Sequence, residues 1–193
     1  MSSSSARSVL SRQSQRDLID VAISKLDTEE PTFLLAISGN GFFLVRDPRG
    51  NKTYATQVRS FRVDSVGHLL GPTGARLQGR TGPGLKDIGD IQVTAAGLPA
   101  GKIPGSSMLC YSIDDWGKIT VHLADGDSFV CGQIILQNFS EPQALVNEGN
   151  QLFSNLANAG PLNAPSIPGS NGLGTIQSGV LELSVASATN WLN

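Results

Sequence analysis

Two histidines, two cysteines and a few close acid pairs are the residues here that could carry acid–base, thiol or metal chemistry. His68 and His122 lie beside turns on alternating runs, which reads as solvent-facing strand positions and not as catalytic bases. Cys110 and Cys131 have no His or Cys at zinc-ligand spacing. Asp114-Asp115 and Asp125-Gly126-Asp127 offer the oxygens calcium takes, but neither continues into an EF-hand loop with its terminal Glu. They read as turn acids. Gly39-Asn40-Gly41 begins like a nucleotide fingerprint, yet Leu44 stands where the third glycine would be and no helical pattern follows. Gly-x-Ser-x-Gly is absent. The prediction is a non-enzyme with no catalytic, cofactor or metal site.

The elements that would position such groups read as strands. Leu34 to Ile37 is apolar, and so is Phe42 to Val45. Between them Gly39 and Gly41 permit backbone angles or close approaches that a side chain would block. From Thr32 to about Asn138 the pattern is all-β, with turns at Asp47-Pro48-Arg49-Gly50-Asn51 and Gly71-Pro72-Thr73-Gly74. Residues 80–107 read as loops around one strand, Ile88 to Val93. Gln133 to Phe139 alternates, and Pro142 then suits the first position of a short helix over 142–149. Residues 157–175 form a Gly/Pro/Asn loop before a strand over Ile176 to Val185.

Two local patterns bear on geometry. Residues 108–135 read as a three-stranded meander with Cys110 and Cys131 on its outer strands, about 9.6 Å apart at twice the strand spacing. A disulfide needs Cα atoms within about 7 Å, so two free, buried thiols are expected. Further, Phe61-Arg62-Val63-Asp64-x-x-Gly67-x-Leu69 echoes as Tyr111-Ser112-Ile113-Asp114-x-x-Gly117-x-Ile119. The echo is either a repeat or two hairpins alike because Asp-x-x-Gly turns are alike.

Composition sets the outer bounds. With 193 residues, Gly 22, Pro 10 and 6% aromatics, the chain favours many short strands and turns in one domain, with or without arms. A net charge of -2 without a basic cluster disfavours nucleic acid and anionic membranes as partners. No apolar run is long enough to span a bilayer, and a polar start without an apolar core predicts no cleavable signal. In residues 6–26, Ile19, Ala22, Ile23 and Leu26 share one face of a possible helix, although Leu18 to Val21 also suits an extended arm. The tail carries Trp191 and Leu192. These two stretches are the candidate assembly arms.

Three blocks resemble the bacterial flagellar rod and hook proteins. In that family a segment close to Leu-Asp-Leu-Ala-Ile-x-Gly-x-Gly-Phe-Phe opens the shared β domain. Here Leu35-Ala36-Ile37-Ser38-Gly39-Asn40-Gly41-Phe42-Phe43 matches it, with Leu34 where the family tends to have Asp. In the second block Thr56, Phe61, Asp64, Gly67 and Leu69 fit, while Gln57 and Arg59 depart from the usual Arg and Gly. The third block, Asn171 to Ser184, matches through Gly172, Gly174, Gly179 and Glu182, with Val185 in place of the family's Asn. The resemblance implies long terminal helices, for which this chain keeps only 6–26 and 186–193.

The expected fold is mainly β, an irregular sandwich or partly closed barrel with one short helix and N- and C-terminal arms. Its divisions are 1–31, an arm; 32–184, a β domain; and 185–193, a tail. Expected core residues are Leu35, Ile37, Phe42, Leu44, Phe61, Val63, Leu77, Ile113, Ile119, Val121, Ile134, Leu136 and Leu145. The implied function is a non-catalytic subunit of a tubular assembly in the flagellar basal body, exported without a cleavable signal. Its partners would be other copies and homologous rod, hook or tail subunits, with no nucleic acid and no membrane insertion. The alternatives are a bacteriophage tail or baseplate protein in the virion, and an unrelated binding or enzymatic β domain. A binding module would want clustered exposed aromatics, whereas Tyr54, Tyr111, Trp116 and Trp191 are scattered.

Overall fold

The computed structural model describes residues 32–71, 73–94 and 108–180. The expected arm over 6–26, the strand residues beyond Val180, Glu182 and the tail with Trp191 and Leu192 lie outside these residues. The described fold is mainly β, as expected from the alternation. Its strands are β1 Thr32–Ser38, β2 Phe42–Asp47, β3 Lys52–Thr56, β4 Ser60–Val63, β5 Leu69–Leu70, β6 Arg76–Thr81 and β7 Asp87–Asp90. They continue with β8 Met108–Ile113, β9 Lys118–Leu123, β10 Ser128–Ile134, β11 Leu136–Gln137, β12 Val146–Asn147, β13 Leu152–Ser154 and β14 Thr175–Val180.

These strands join in one branched sheet that does not close into a barrel. Its main path runs β12-β13-β3-β2-β6-β5-β4-β1-β14. The branch point is β6, whose Arg76 and Leu77 pair with β2 while Gly79 and Arg80 pair with β10 and β7. One strand thereby serves two sheet directions, as at the corner of a sandwich. From β10 the branch continues through β9 to β8, the expected meander.

Both faces of β2 are covered, which explains its unbroken apolar run. Phe43 and Val45 enter a large cluster with Leu35, Phe61, Leu77, Ile91, Ile119, Ile134 and Leu136. Leu44 enters a second cluster with Ala55, Ile135, Phe139 and Ala159. Of the expected core, Ile37, Phe42, Val63 and Leu145 are only half-buried, packed against these clusters from their margins. The reason is position: Phe42 and Val63 end their strands, and Ile37 lies one residue before the end of β1.

Three expectations are corrected. The helix over 142–149 is a single 3-10 turn, Pro142–Ala144, followed by β12. Leu145 is already extended at φ -66 and ψ 135, and Asn147 Oδ1 accepts the Gly149 N–H at 2.8 Å. Positive φ at Gly149, Asn150 and Gln151 then turns the chain so that Val146 pairs with Ser154. Turn chemistry therefore overrides the helix start that Pro142 suggested. Second, Cys110 is exposed, because it lies on the outer strand β8; Cys131 is half-buried, and burial pushes its thiol up to about 11. Third, His68 does not face solvent but turns back onto Asp64.

Candidate assembly site

The three motif blocks become three neighbouring strands. β1 lies between β4 and β14, with Phe33 opposite Phe61 on one side and Val180 on the other. Leu35 faces Ser178, Ile37 faces Ile176 and Ser38 faces Thr175, so the pairing runs the length of β1. Its antiparallel sense has one consequence for assembly. Phe33, near the start of β1, and Val180, the last residue of β14, are thereby paired across one end of the two strands.

The opposite end of that pair is closed by glycines meeting backbone to backbone. Gly39 has φ 116, and a Cβ there would come 2.9 Å from the Gly174 Cα. A Cβ on Gly174 would lie 2.5 Å from the Ser38 carbonyl oxygen. This proximity lets the Gly174 N–H donate to the Asn40 carbonyl at 2.7 Å. At Gly41, φ is 130 and the space for a Cβ is bounded by Leu173 at 3.3 Å and Leu136 at 3.5 Å. The first and third blocks thus interlock through contacts only glycine permits.

Aromatic packing ties in the remainder. Phe43 meets Phe61 edge-to-face at 5.4 Å, joining the first block to the second. Phe42 points the other way, to Phe139 at 5.6 Å and Phe153 at 5.9 Å. In the second block, Asp64 Oδ1 accepts the N–H groups of Val66 at 2.9 Å and His68 at 2.8 Å, and the Gly67 N–H donates to the Asp64 carbonyl. Partial burial opposes ionisation of Asp64, but these bonds and His68 outweigh it and hold its pKa below the ordinary value. Gly179 stands opposite Leu34 on β14.

Sequence reading missed an ion cluster at the seam of β2, β6 and β7. Asp90 accepts from Arg46 Nε at 2.9 Å, Arg76 Nη1 at 3.0 Å and Gln78 Nε2 at 2.7 Å, with a further bond from Arg46 Nη2. Burial would raise the Asp90 pKa, but the hydrogen bonds and the Arg46 charge prevail and bring it down to about 2. The partners lie 12 to 44 residues apart in sequence, so only the strand register unites them. Among the described residues no three His, Cys, Asp or Glu side chains are grouped to hold a metal. Ser112 Oγ does approach His122 Nε2, at 3.1 Å on an exposed face.

The domain's sequence is also similar to known proteins. Residues 36–121 match the family model described as the flagellar hook protein FlgE/F/G D1 domain. Flagellar basal-body rod protein FlgG of Bacillus subtilis is 29% identical over 159 residues, 82% of this chain and 53% of the relative. The FlgG proteins of Borreliella burgdorferi and Buchnera aphidicola are 30% and 31% identical, over 79% and 78% of this chain and 50% and 49% of theirs. Residues 36–121 thus match a domain of the flagellar rod and hook family. The chain spans about half the length of the curated relatives it matches. The family match covers the first motif block from Ala36 on, the second block and the Asp114–Gly117 turn, and the relatives give no support to the bacteriophage alternative.

Proposed function

We infer that this chain is a structural, non-catalytic subunit of the flagellar basal-body rod, packing laterally and axially with copies of itself and with homologous rod or hook subunits. The observation that carries this reading is the strand triplet β4-β1-β14, in which all three family blocks are adjacent. The same arrangement pairs Phe33 with Val180, so the proposed arm 1–31 and tail 185–193 would connect to the domain through the neighbouring strands β1 and β14. Those two segments, with Ile19, Ala22, Ile23 and Leu26 on one and Trp191 and Leu192 on the other, would supply contacts to neighbouring subunits. Assembly through chain segments lets a subunit bind extended surfaces without a large preformed patch. Neither nucleic acid nor a membrane belongs to this reading; no described helix is long and apolar enough to cross a bilayer. Placement across the periplasm and export without signal cleavage complete the proposal.

The test is incorporation. The tagged full chain is expressed in flagellated cells lacking their own distal rod protein, and hook–basal bodies are purified. The chain should co-purify with them, and deletion of residues 1–26 should abolish this while the β domain still folds. Recovery of the chain only in the soluble fraction would overturn the rod reading. Normal incorporation of the shortened chain would instead move the contacts onto the β domain.

A further inference from the structure

We propose that Asn171-Gly172, in the loop that clasps the first motif block, is a site of spontaneous deamidation, and that the fold directs this chemistry there and away from Asn40-Gly41. These are the two Asn-Gly steps in the chain, and both lie in family motif blocks. The reaction suits Asn-Gly because glycine leaves its amide nitrogen unshielded by a Cβ. Asparagine is accordingly among the thermolabile residues.

The chemistry is self-contained. The Gly172 amide nitrogen attacks the Asn171 side-chain carbonyl carbon, and a C–N bond forms. The bond from that carbon to Nδ2 breaks, and Nδ2 leaves as ammonia, carrying away the amide proton. Solvent water then opens the cyclic imide at one of its two carbonyls. The product is aspartate, or isoaspartate with the chain rerouted through the side chain. No oxidant or reductant enters.

What separates the two steps is freedom of the glycine. Asn171 and Gly172 are both exposed, and nothing lies within 4 Å of where a Gly172 Cβ would be. Asn171 is held by one side-chain bond, Nδ2 donating to Ser166 Oγ at 3.1 Å. Gly41, by contrast, is buried against Leu173 and Leu136, and the preceding Asn40 carbonyl accepts the Gly174 N–H at 2.7 Å. To bring the Gly41 nitrogen onto its neighbour's side chain, the glycine contact of the motif blocks would first have to open. Conversion at 171 also removes the donor to Ser166 and leaves a carboxylate in the loop.

The experiment holds the folded full chain at mildly alkaline pH and follows both peptides by mass spectrometry that resolves Asp from isoAsp. Conversion at 171 should outpace that at 40 by about tenfold or more, since a modest opening free energy protects the latter. In urea the two rates should converge. Equal rates in the folded chain, faster loss at Asn40, or a folded Asn171 as inert as Asn40 while both react in urea would each overturn the proposal. The Asn171→Gln variant, its unchanged melting temperature confirming the fold, should lose the product in this loop and leave the rate at Asn40 as it was. A change in the Asn40 rate would likewise count against the proposal.

Discussion

The turns at Asp64–Gly67 and Asp114–Gly117 are built from the same bonds and set in different surroundings. In each, the glycine N–H donates to the Asp carbonyl at 2.9 Å. Each Asp Oδ1 takes the N–H groups two and four residues on, at 2.9 and 2.8 Å in one and 3.0 and 2.8 Å in the other. In each, the glycine carbonyl accepts from a third segment at 2.7 Å, from Val93 or from Ile134. The surroundings diverge. Gly67 lies tightly against the Thr94 side chain and the Val93 backbone, whereas Gly117 lies less tightly against Ile134 and the Pro168 side chain. His68 returns to Asp64 through its ring, while Lys118 holds the corresponding place in the second turn. Local sequence therefore specifies the turn, and tertiary packing sets what a change in it costs.

The sharpest test of that separation is a series of glycine substitutions. All three sites have positive φ: 97 at Gly67, 73 at Gly117 and 89 at Gly126. The backbone strain for alanine is comparable, on the order of 1–2 kcal/mol. Space is not comparable. A Cβ at 67 would come 2.4 Å from Thr94 Cγ2 and 2.6 Å from the Val93 carbonyl oxygen, at 117 it would come 2.9 Å from Ile134 Cβ, and at 126 nothing lies within 4 Å. Gly67→Ala should cost roughly 4 kcal/mol, Gly117→Ala roughly 3 and Gly126→Ala about 1, by urea unfolding. Equal costs at 67 and 126 would mean that strain alone decides and the backing segment does not.

Removing the aspartates gives the next largest effect. Asp64→Ala should destabilise by about 2–3 kcal/mol, because two backbone bonds and the His68 contact are lost together. Asp114→Ala loses the two backbone bonds and should cost about 1–2 kcal/mol. His68→Gln in the Asp64→Ala background should then add little. A large further loss would show that His68 packs independently of the acid.

This pairing also marks how far the sequence could be read. The Asp-x-x-Gly turns, the meander and the Gly39-Asn40-Gly41 entry were legible, because each depends on residue types at short spacing. What the glycines touch was not legible. Gly174 lies 135 positions beyond Gly39, and no local pattern announces their contact. The same holds for the ion cluster, whose members read separately as ordinary strand charges. The 142–149 helix failed for the converse reason: proline suggested a start, but Asn147, Gly149 and Asn150 encode a competing hairpin.

A pH experiment carries the comparison to the third segments. Three residues before Val93 stands Asp90, and three before Ile134 stands Cys131. Asp90 titrates at about 2 in the folded chain against an ordinary 3.8. The lowered folded value stabilises the protein above 3.8, and the benefit is lost as pH falls from about 4 towards 2. The loss should approach about 2 kcal/mol. Asp90→Asn should flatten the curve in that window while lowering stability at neutral pH. A wild-type midpoint in urea that is constant from pH 5 to 2.5 would remove Asp90 as an anchor of the segment behind the first turn.

The smallest effect concerns the side chains at the turn tips, where the two turns present apolar groups at the same position. Val66 is 55% exposed and Trp116 58% exposed, so by exposure alone they look equivalent. Their footing differs. A Cβ built on Gly169 would touch the Trp116 ring at 3.5 Å, so that ring lies along the loop leading to the third motif block. Replacing Val66 with serine removes little buried surface and should change stability by no more than about 0.5 kcal/mol. Trp116→Ala uncovers part of the 165–174 loop and should cost about 1 kcal/mol, in proportion to the apolar area the ring covers. Gln133 offers an internal control, since its Nε2 donates to the Trp116 carbonyl at 3.1 Å and depends on the turn backbone, not on the ring. Gln133→Ala should therefore add its own small cost to Trp116→Ala without coupling. If Trp116→Ala is as silent as Val66→Ser, the ring makes no energetic contact with the loop, and the two tips are energetically equivalent despite their different residues.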